Sequence, residues 1–195
     1  MLKGAIARRY AEAMFQIALK QNTVDRTLDD VNNITQVFAN RKLAYLLREP
    51  KVPTQRKEKA LREALTTKVQ STSLNLALLV VQRGLVDLMP NIAKELETLV
   101  LNYRNEAIAE VTTAAPLDQE HSNSVKQALE RSTGKSIIMT TRVDPTILGG
   151  VVARVGDQLI DGSVRYRLQA LQRELLAGIA TTSVDDSSYE SPLPV

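Results

Sequence analysis

The chain has 195 residues, of which 44% are hydrophobic and only 4% aromatic, and its formal net charge is +3. The absence of cysteine excludes disulfide bonds and thiolate metal sites, and a single histidine leaves little room for imidazole chemistry. No apolar run reaches the roughly 18 residues of a membrane span, and charges stand where a signal peptide needs its apolar core, so we expect a cytosolic protein.

The charge is distributed unevenly along the sequence. Residues 1–105 contain 17 Lys and Arg against 10 Asp and Glu, a net charge of +7. Residues 106–195 contain 8 against 12, a net charge of −4. A basic front half and an acidic back half predict two modules with different partners.

The first predicted helix covers residues 5–21. Its charged residues fall within a sector of about 120°, and the opposite apolar arc spans about 200°. One neighbouring helix covers only about half of such an arc. Either the helix is buried on two sides within its own bundle, or part of the arc, including the small residues Ala7, Ala11 and Ala18, lines a groove for a partner helix.

Five more helices follow in the front half. Thr23 is a candidate N-cap of the second helix, and Thr54 of the fourth. The outer face of the fourth helix carries Arg56, Lys57, Lys59 and Arg62, which we interpret as a solvated face. The fifth, at residues 73–83, is apolar all round and belongs at the centre of a bundle, whereas the sixth begins near Asp87. We therefore predict an N-terminal six-helix bundle over residues 1–105.

The back half mixes strands and helices. Strands are predicted at residues 107–114, 136–143 and 151–155, with a modest helix at 118–132 between the first two. Together with the front half this predicts an α+β fold that is mainly α, with a small α/β C-terminal domain at residues 106–180. Residues 181–195 lack apolar periodicity and are rich in Ser, Asp and Pro, so we expect a disordered tail.

The C-terminal domain is predicted to end in a long amphipathic helix. Ser163 is a candidate N-cap, because its side-chain oxygen can accept a hydrogen bond from an amide of the first turn. Apolar residues then recur at spacings of four and three along one face. The stripe consists of Val164, Leu168, Leu171, Leu175 and Ile179.

The glycines and carboxylates before this helix allow other interpretations, which we reject. Gly150 to Gly156 spans an extended run, whereas a dinucleotide fingerprint or P-loop needs its glycines between a strand and a helix. Asp144, Asp157 and Asp161 lack the ligand order of a calcium loop, so we interpret them as turn residues. No catalytic motif occurs, and no cofactor or metal site is predicted.

The same stretch resembles the C-terminal signature of a known family. The matching segments are Val143-Asp144-Pro145, Ile147-Leu148-Gly149-Gly150, Arg154-x-Gly156-Asp157 and Asp161-Gly162-Ser163-Val164, with Arg165 and Leu168. They resemble the δ subunit of F-type ATP synthases, whose mitochondrial counterpart is the oligomycin sensitivity-conferring protein. The opening helix, Ala7-Arg8-Arg9-Tyr10-Ala11 with Ala13-Met14-Phe15 and Ala18, resembles the same family.

This resemblance implies a non-catalytic stator subunit. It would join the α/β catalytic head to the peripheral stalk, so that proton-driven rotation is coupled to ATP synthesis at the cytoplasmic face of a bacterial inner membrane. The helical domain would bind N-terminal segments of α subunits, and the C-terminal domain would bind the C-terminal ends of b subunits. The positions implied for α are Ile6, Ala7, Tyr10, Ala11, Met14, Phe15 and Ala18. Those implied for the stalk-binding domain are Asp144, Pro145, Gly149, Gly150, Arg154, Gly156, Asp157, Asp161, Gly162, Ser163, Arg165, Leu168, Leu171 and Leu175.

An RNA-binding adaptor is the alternative from a different class of function. A basic helical bundle can bind phosphates through exposed Arg and Lys, with an affinity that falls steeply as salt rises. The acidic second module and the scarcity of aromatic residues for base stacking both oppose this alternative.

Overall fold

The chain divides into two compact units, Met1–Asn105 and Glu106–Val195. In a computed structural model the backbone is described for residues 2–182 and the side chains for residues 4–176. The described chain is mostly helical with a small sheet, as the sequence predicts, and this sheet is mixed and has four strands.

The first unit consists of helices throughout its described length. Helix α5 begins two residues before its predicted start, and a 3-10 turn at Val86–Leu88 precedes α6, which begins at Met89. Pro90 lies in the first turn of α6, where its missing amide hydrogen leaves no helical bond unmade. The helices are α1 (Leu2–Gln21), α2 (Val24–Ala39), α3 (Arg41–Arg48), α4 (Thr54–Leu65), α5 (Ser71–Gln82) and α6 (Met89–Tyr103).

Neither predicted threonine cap is observed. The side chain of Thr23 makes no capping hydrogen bond, and Thr54 is itself the first residue of α4, after Pro53. Asn40 performs this role at α3, where its Oδ1 accepts the Lys42 amide hydrogen at 3.1 Å.

Helix α5 contributes heavily to the core of the first unit. Seven of its twelve residues are buried, in agreement with its apolar composition on all sides. Among the apolar residues of α5, Leu79 is the exception, with 39% of its surface exposed.

A buried carboxylate connects α2 to the beginning of α5. Asp30 is only 1% exposed, and its Oδ2 accepts the amide hydrogen of Gln70 at 2.8 Å. Gln70 precedes α5, so the charge lies at the positive end of that helix dipole. The Nε of Arg26 lies 3.7 Å from Oδ1 of the same carboxylate. These interactions offset the cost of removing the Asp30 charge from water.

The second unit is built on a sheet with strand order β2-β1-β3-β4. Strands β1 and β2 are parallel and are linked by α7, whereas β1–β3 and β3–β4 are antiparallel. The elements are β1 (Glu106–Thr113), α7 (Gln119–Thr133), β2 (Ser136–Val143), β3 (Val151–Val155), β4 (Gln158–Asp161) and α8 (Val164–Thr182). Helix α8 extends two residues into the predicted tail, and residues 183–195 lie outside the described part of the chain.

The two faces of the sheet differ in their surroundings. Alternate residues of β1, β2 and β3, among them Val111, Ile137 and Ala153, form a core with Leu129 of α7. This alternation is the two-residue period of a strand with one buried face. On the opposite face, Ile108 pairs in register with Ile138, and both are exposed.

We predict that Asp30→Ala lowers the free energy of unfolding by about 1–3 kcal/mol, because it leaves the backbone amide of the half-buried Gln70 without its acceptor. The neighbouring Asp29 is exposed, so Asp29→Ala is a matched control with an expected change within about 0.5 kcal/mol. Urea unfolding of both variants measures the difference. Equal stability of the two variants would contradict a structural role for Asp30.

Candidate partner-binding surfaces

The α1 residues that the sequence assigns to a partner surface fall into two groups by burial. Ala7, Ala11, Met14 and Ala18 are buried, the first two completely. Their spacing of four, three and four residues gives a single inward-facing stripe on a helix that packs against α6 and α2. These four side chains contribute to the core and cannot reach a partner in this fold, so their assignment to a partner surface is corrected.

A second apolar stripe on α1 remains accessible. It lies roughly 90° around the helix from the buried stripe. Ile17 is 40% exposed and Ala13 is exposed, whereas the other members are half-buried. Phe15 lies on the other side of the buried stripe, where its ring contacts that of Tyr103 edge-on, with 5.8 Å between centroids. The accessible stripe consists of Ile6, Tyr10, Ala13 and Ile17.

The signature carboxylate Asp144 forms a turn. Its Oδ1 accepts the hydroxyl hydrogen of Thr146 at 2.6 Å and the amide hydrogen of the same residue at 3.0 Å. These two bonds, the hydroxyl bond first, lower the pKa of Asp144 below its usual range because they stabilise the charged form. Asp144 follows the last residue of β2, and the exposed Pro145 comes next in the turn.

The glycines of the signature allow two backbone segments to meet. Gly150 has φ +85°, and a Cβ added there would lie 2.5 Å from the carbonyl oxygen of Gly162. Gly162 donates its amide hydrogen to the Val151 carbonyl at 2.9 Å, and Val164 donates to the Gly149 carbonyl at 3.0 Å. These contacts attach the beginning of α8 to the beginning of β3. Glycine is required at residue 150 because no side chain fits there.

Ser163 caps α8 as the sequence predicts. Its Oγ accepts the amide hydrogen of Tyr166 at 3.2 Å, and its own amide hydrogen is donated to Oδ1 of Asp161 at 2.9 Å. The hydrogen bond with the backbone amide of Ser163, followed by the one with its side chain, lowers the pKa of Asp161 below its usual range. Asp161 is therefore a turn residue, as the sequence predicts, and its hydrogen bond orients the capping residue Ser163.

The remaining signature residues belong to the β3–β4 hairpin. Gly156 has φ +58° and turns the chain, with the exposed Asp157 beside it. The Nε of Arg154 donates to the Gly156 carbonyl at 3.3 Å. Within residues 2–182, no three His, Cys, Asp or Glu residues come close enough to hold a metal ion.

Helix α8 carries an apolar stripe that no other described element covers. Leu168, Leu171 and Leu175 are 57%, 52% and 61% exposed, and Val164 is 41% exposed. Their spacing of four, three and four residues is that of a coiled-coil seam, which packs against another helix. Arg165 is also exposed and lies beside this stripe. Four of the five residues in the predicted stripe are exposed on α8, and the side chain of the fifth, Ile179, lies outside the described residues. The sequence alone does not show that the stripe is uncovered.

The first unit also contains a groove that the sequence pattern does not reveal. It has a volume of about 870 Å³ and lies between α2, α3 and α4. Its lining comes from three helices that are separate in sequence, so the periodicity of any one of them gives no signal of it. Among the described helices, none is long and apolar enough to cross a membrane.

Comparison with known proteins identifies the family. The model of the ATP synthase delta (OSCP) subunit family matches residues 6–175. The chain belongs to this family. It is 36% identical over 173 residues to the ATP synthase subunit delta of Desulforudis audaxviator, covering 88% of this chain and 95% of the relative. It is 34% identical over 178 residues to that of Desulforamulus reducens, covering 91% and 98%.

A solved structure has the same fold as the chain. One chain of the cryo-EM structure of the Toxoplasma gondii mitochondrial ATP synthase hexamer superposes with a TM-score of 0.61 at 23% identity, covering 90% of this chain and 98% of that one. Membership of the delta (OSCP) family makes the protein a non-catalytic stator subunit of ATP synthase that binds other subunits of that complex. The comparisons give no support to the RNA-binding alternative.

We predict that Gly150→Ala destabilises the delta (OSCP) chain by at least about 2 kcal/mol, because the new Cβ would overlap backbone atoms that cannot move independently. Gly156→Ala is the control: its φ is also positive, but a Cβ there meets open space, so only about 1 kcal/mol of backbone strain is expected. Chemical unfolding measures the free energy of unfolding of both variants. Similar losses in the two variants would show that the contact between residues 150 and 162 is unimportant.

Proposed function

We propose that the chain connects two parts of ATP synthase, one through each unit. The helices of residues 1–105 act as one six-helix bundle and bind the N-terminal segments of α subunits. Residues 106–180 bind the C-terminal ends of the b subunits of the peripheral stalk. In this role the protein is peripheral and attaches only through the complex to the cytoplasmic face of a bacterial inner membrane. It resists the torque of the rotor, so that rotation is coupled to ATP synthesis.

The uncovered stripe of α8 is the observation that carries this proposal. Fully burying one leucine side chain stabilises a contact by about 1.5–3 kcal/mol, so three exposed leucines represent a substantial unused source of binding free energy. A stripe that repeats every three and four residues fits another helix better than an irregular surface. The C-terminal end of a b subunit, if helical, meets this requirement.

The accessible α1 stripe supports the proposed contact with α. It lies beside the buried stripe, so a partner helix placed there would extend the helical packing of the first unit. The stripe replaces the buried alanines as the proposed α-binding residues, and it keeps Ile6 and Tyr10 from the original assignment. The half-buried Phe15 contacts Tyr103 of α6 and helps to hold α1 against that helix.

Two apolar helix surfaces suit a stator because such a subunit must dissociate slowly. Differences in affinity among related complexes lie mostly in the dissociation rate, which well-packed apolar contacts reduce. Binding at one unit also raises the effective concentration of the second partner at the other unit. A catalytic pocket is not needed for this function.

We predict that the double substitution Leu168→Ser and Leu171→Ser weakens binding of a peptide from the C-terminal end of a b subunit by at least about tenfold. The substitutions remove apolar area from the interface. A tenfold weaker affinity corresponds to a loss of about 1.4 kcal/mol of binding free energy. Gln169→Ser with Gln172→Ser is the matched control on the same helix, and its affinity should stay within about threefold. Titration calorimetry measures both. Equal affinities of the unsubstituted protein and the two double variants would exclude the α8 stripe as the b-binding surface.

We predict that Ile17→Glu weakens binding of an α N-terminal peptide by at least about tenfold while the fold is retained, because a charge is placed in the accessible α1 stripe. Gln16→Glu, on the polar side of α1, is the control and should bind normally. Calorimetry gives the affinities, and circular dichroism confirms the fold. Unchanged binding by Ile17→Glu would place the α site elsewhere. Ala11→Glu is unsuitable because residue 11 has no exposed surface, and a charge there would disrupt the core.

A further inference from the structure

The groove between α2, α3 and α4 is separate from both proposed contacts. None of its lining residues belongs to α1 or α8. Its apolar part consists of Val37, Leu43, Leu46 and Ala64, all half-buried. Its volume of about 870 Å³ is within the range of sites that bury a ligand or a short peptide segment.

One wall of the groove carries a row of amide side chains. Asn33 and Gln36 lie on one side of α2, because a spacing of three residues returns to nearly the same side of a helix, and Asn40 follows the end of α2 as the N-cap of α3. No hydrogen bond involves the side chains of Asn33 or Gln36 within residues 4–176. Asn40 uses its Oδ1 to cap α3, which leaves its amide nitrogen available as a donor. Each side chain can therefore still bond to a ligand.

The charge in the groove has one sign. Lys42 and Lys68 line it, both side chains are exposed, and no Asp or Glu is among the lining residues. Within residues 4–176 neither lysine forms an ion pair. This uncompensated positive charge favours a ligand that carries carboxylates.

We propose that this groove binds an acidic polypeptide segment in an extended conformation. An amide side chain offers a donor nitrogen and an acceptor oxygen, and so can pair with both the N–H and the C=O of a free peptide group. In an extended segment the peptide groups are free, whereas in a helix they are already bonded internally. From Asn33 to the end of α2 at Ala39 the helix axis rises about 9 Å, the length of about three extended residues. Carboxylates of the segment pair with Lys42 and Lys68, and one apolar side chain packs on Leu43 and Leu46.

The proposal is tested with the full chain and a fluorescein-labelled peptide of sequence Asp-Glu-Leu-Pro-Asp-Glu, whose proline disfavours a helix. Fluorescence anisotropy should show saturable binding. The uncharged peptide Asn-Gln-Leu-Pro-Asn-Gln should bind at least about tenfold more weakly, because its carboxylates are missing. Absence of saturable binding of the acidic peptide overturns the proposal.

Matched variants separate this groove from general attraction to a basic protein. Lys42→Glu with Lys68→Glu should weaken binding of the acidic peptide by at least about tenfold. Lys51→Glu with Lys59→Glu makes the same charge change outside the groove and should weaken binding by less than about threefold. Equal losses in the two pairs would mean only unspecific attraction and would overturn the proposal.

The extended conformation has its own test. Asn33→Ala with Gln36→Ala leaves the charge unchanged and should weaken binding by about threefold to tenfold, through lost hydrogen bonds. Unchanged binding, or a gain of helical circular dichroism in the bound peptide, would overturn the extended mode. The α8 and α1 variants are expected to bind this peptide normally, so the outcome is independent of the proposed stator contacts.

Discussion

The burial of apolar stripes decides which surfaces belong to the interior of this chain and which are left for other molecules. In the first unit α5 and the inner stripe of α1 are covered by neighbouring helices. In the second unit α7 covers one face of the sheet. Helix α8 has no such cover, although its stripe is as regular as those inside. Exposed apolar stripes are the surfaces where assembly gains most free energy.

Polar groups determine how the covered helices are aligned. Asp30 holds the beginning of α5 against α2 through a half-buried hydrogen bond, and the ion pair between Arg104 and Asp25 joins the end of α6 to the beginning of α2. Such contacts contribute modest free energy each, but they are directional, whereas apolar burial is not. The combination gives the first unit a defined surface, on which a groove can have a fixed chemical character.

The sequence predicts the element types, the family signature and the α8 stripe because these depend on local spacing. It does not predict which part of the wide apolar arc of α1 is inward, because periodicity identifies an apolar sector but not the neighbour that covers it. The buried position of Asp30 and the groove near Asn33 depend on residues distant in sequence. The absence of a Thr23 cap has a similar reason, since local preference does not fix the side-chain geometry at a helix end.

The attachment of α8 through main-chain atoms has a mechanical consequence in the proposed assembly. Gly162 bonds to Val151 at the first residue of β3, which is an interior strand with β1 on one side and β4 on the other. A pull on α8 is therefore shared between two hydrogen-bonded ladders instead of peeling one strand from an edge. Because side chains take little part in the attachment, substitutions elsewhere on α8 can change what it binds without loosening its anchorage.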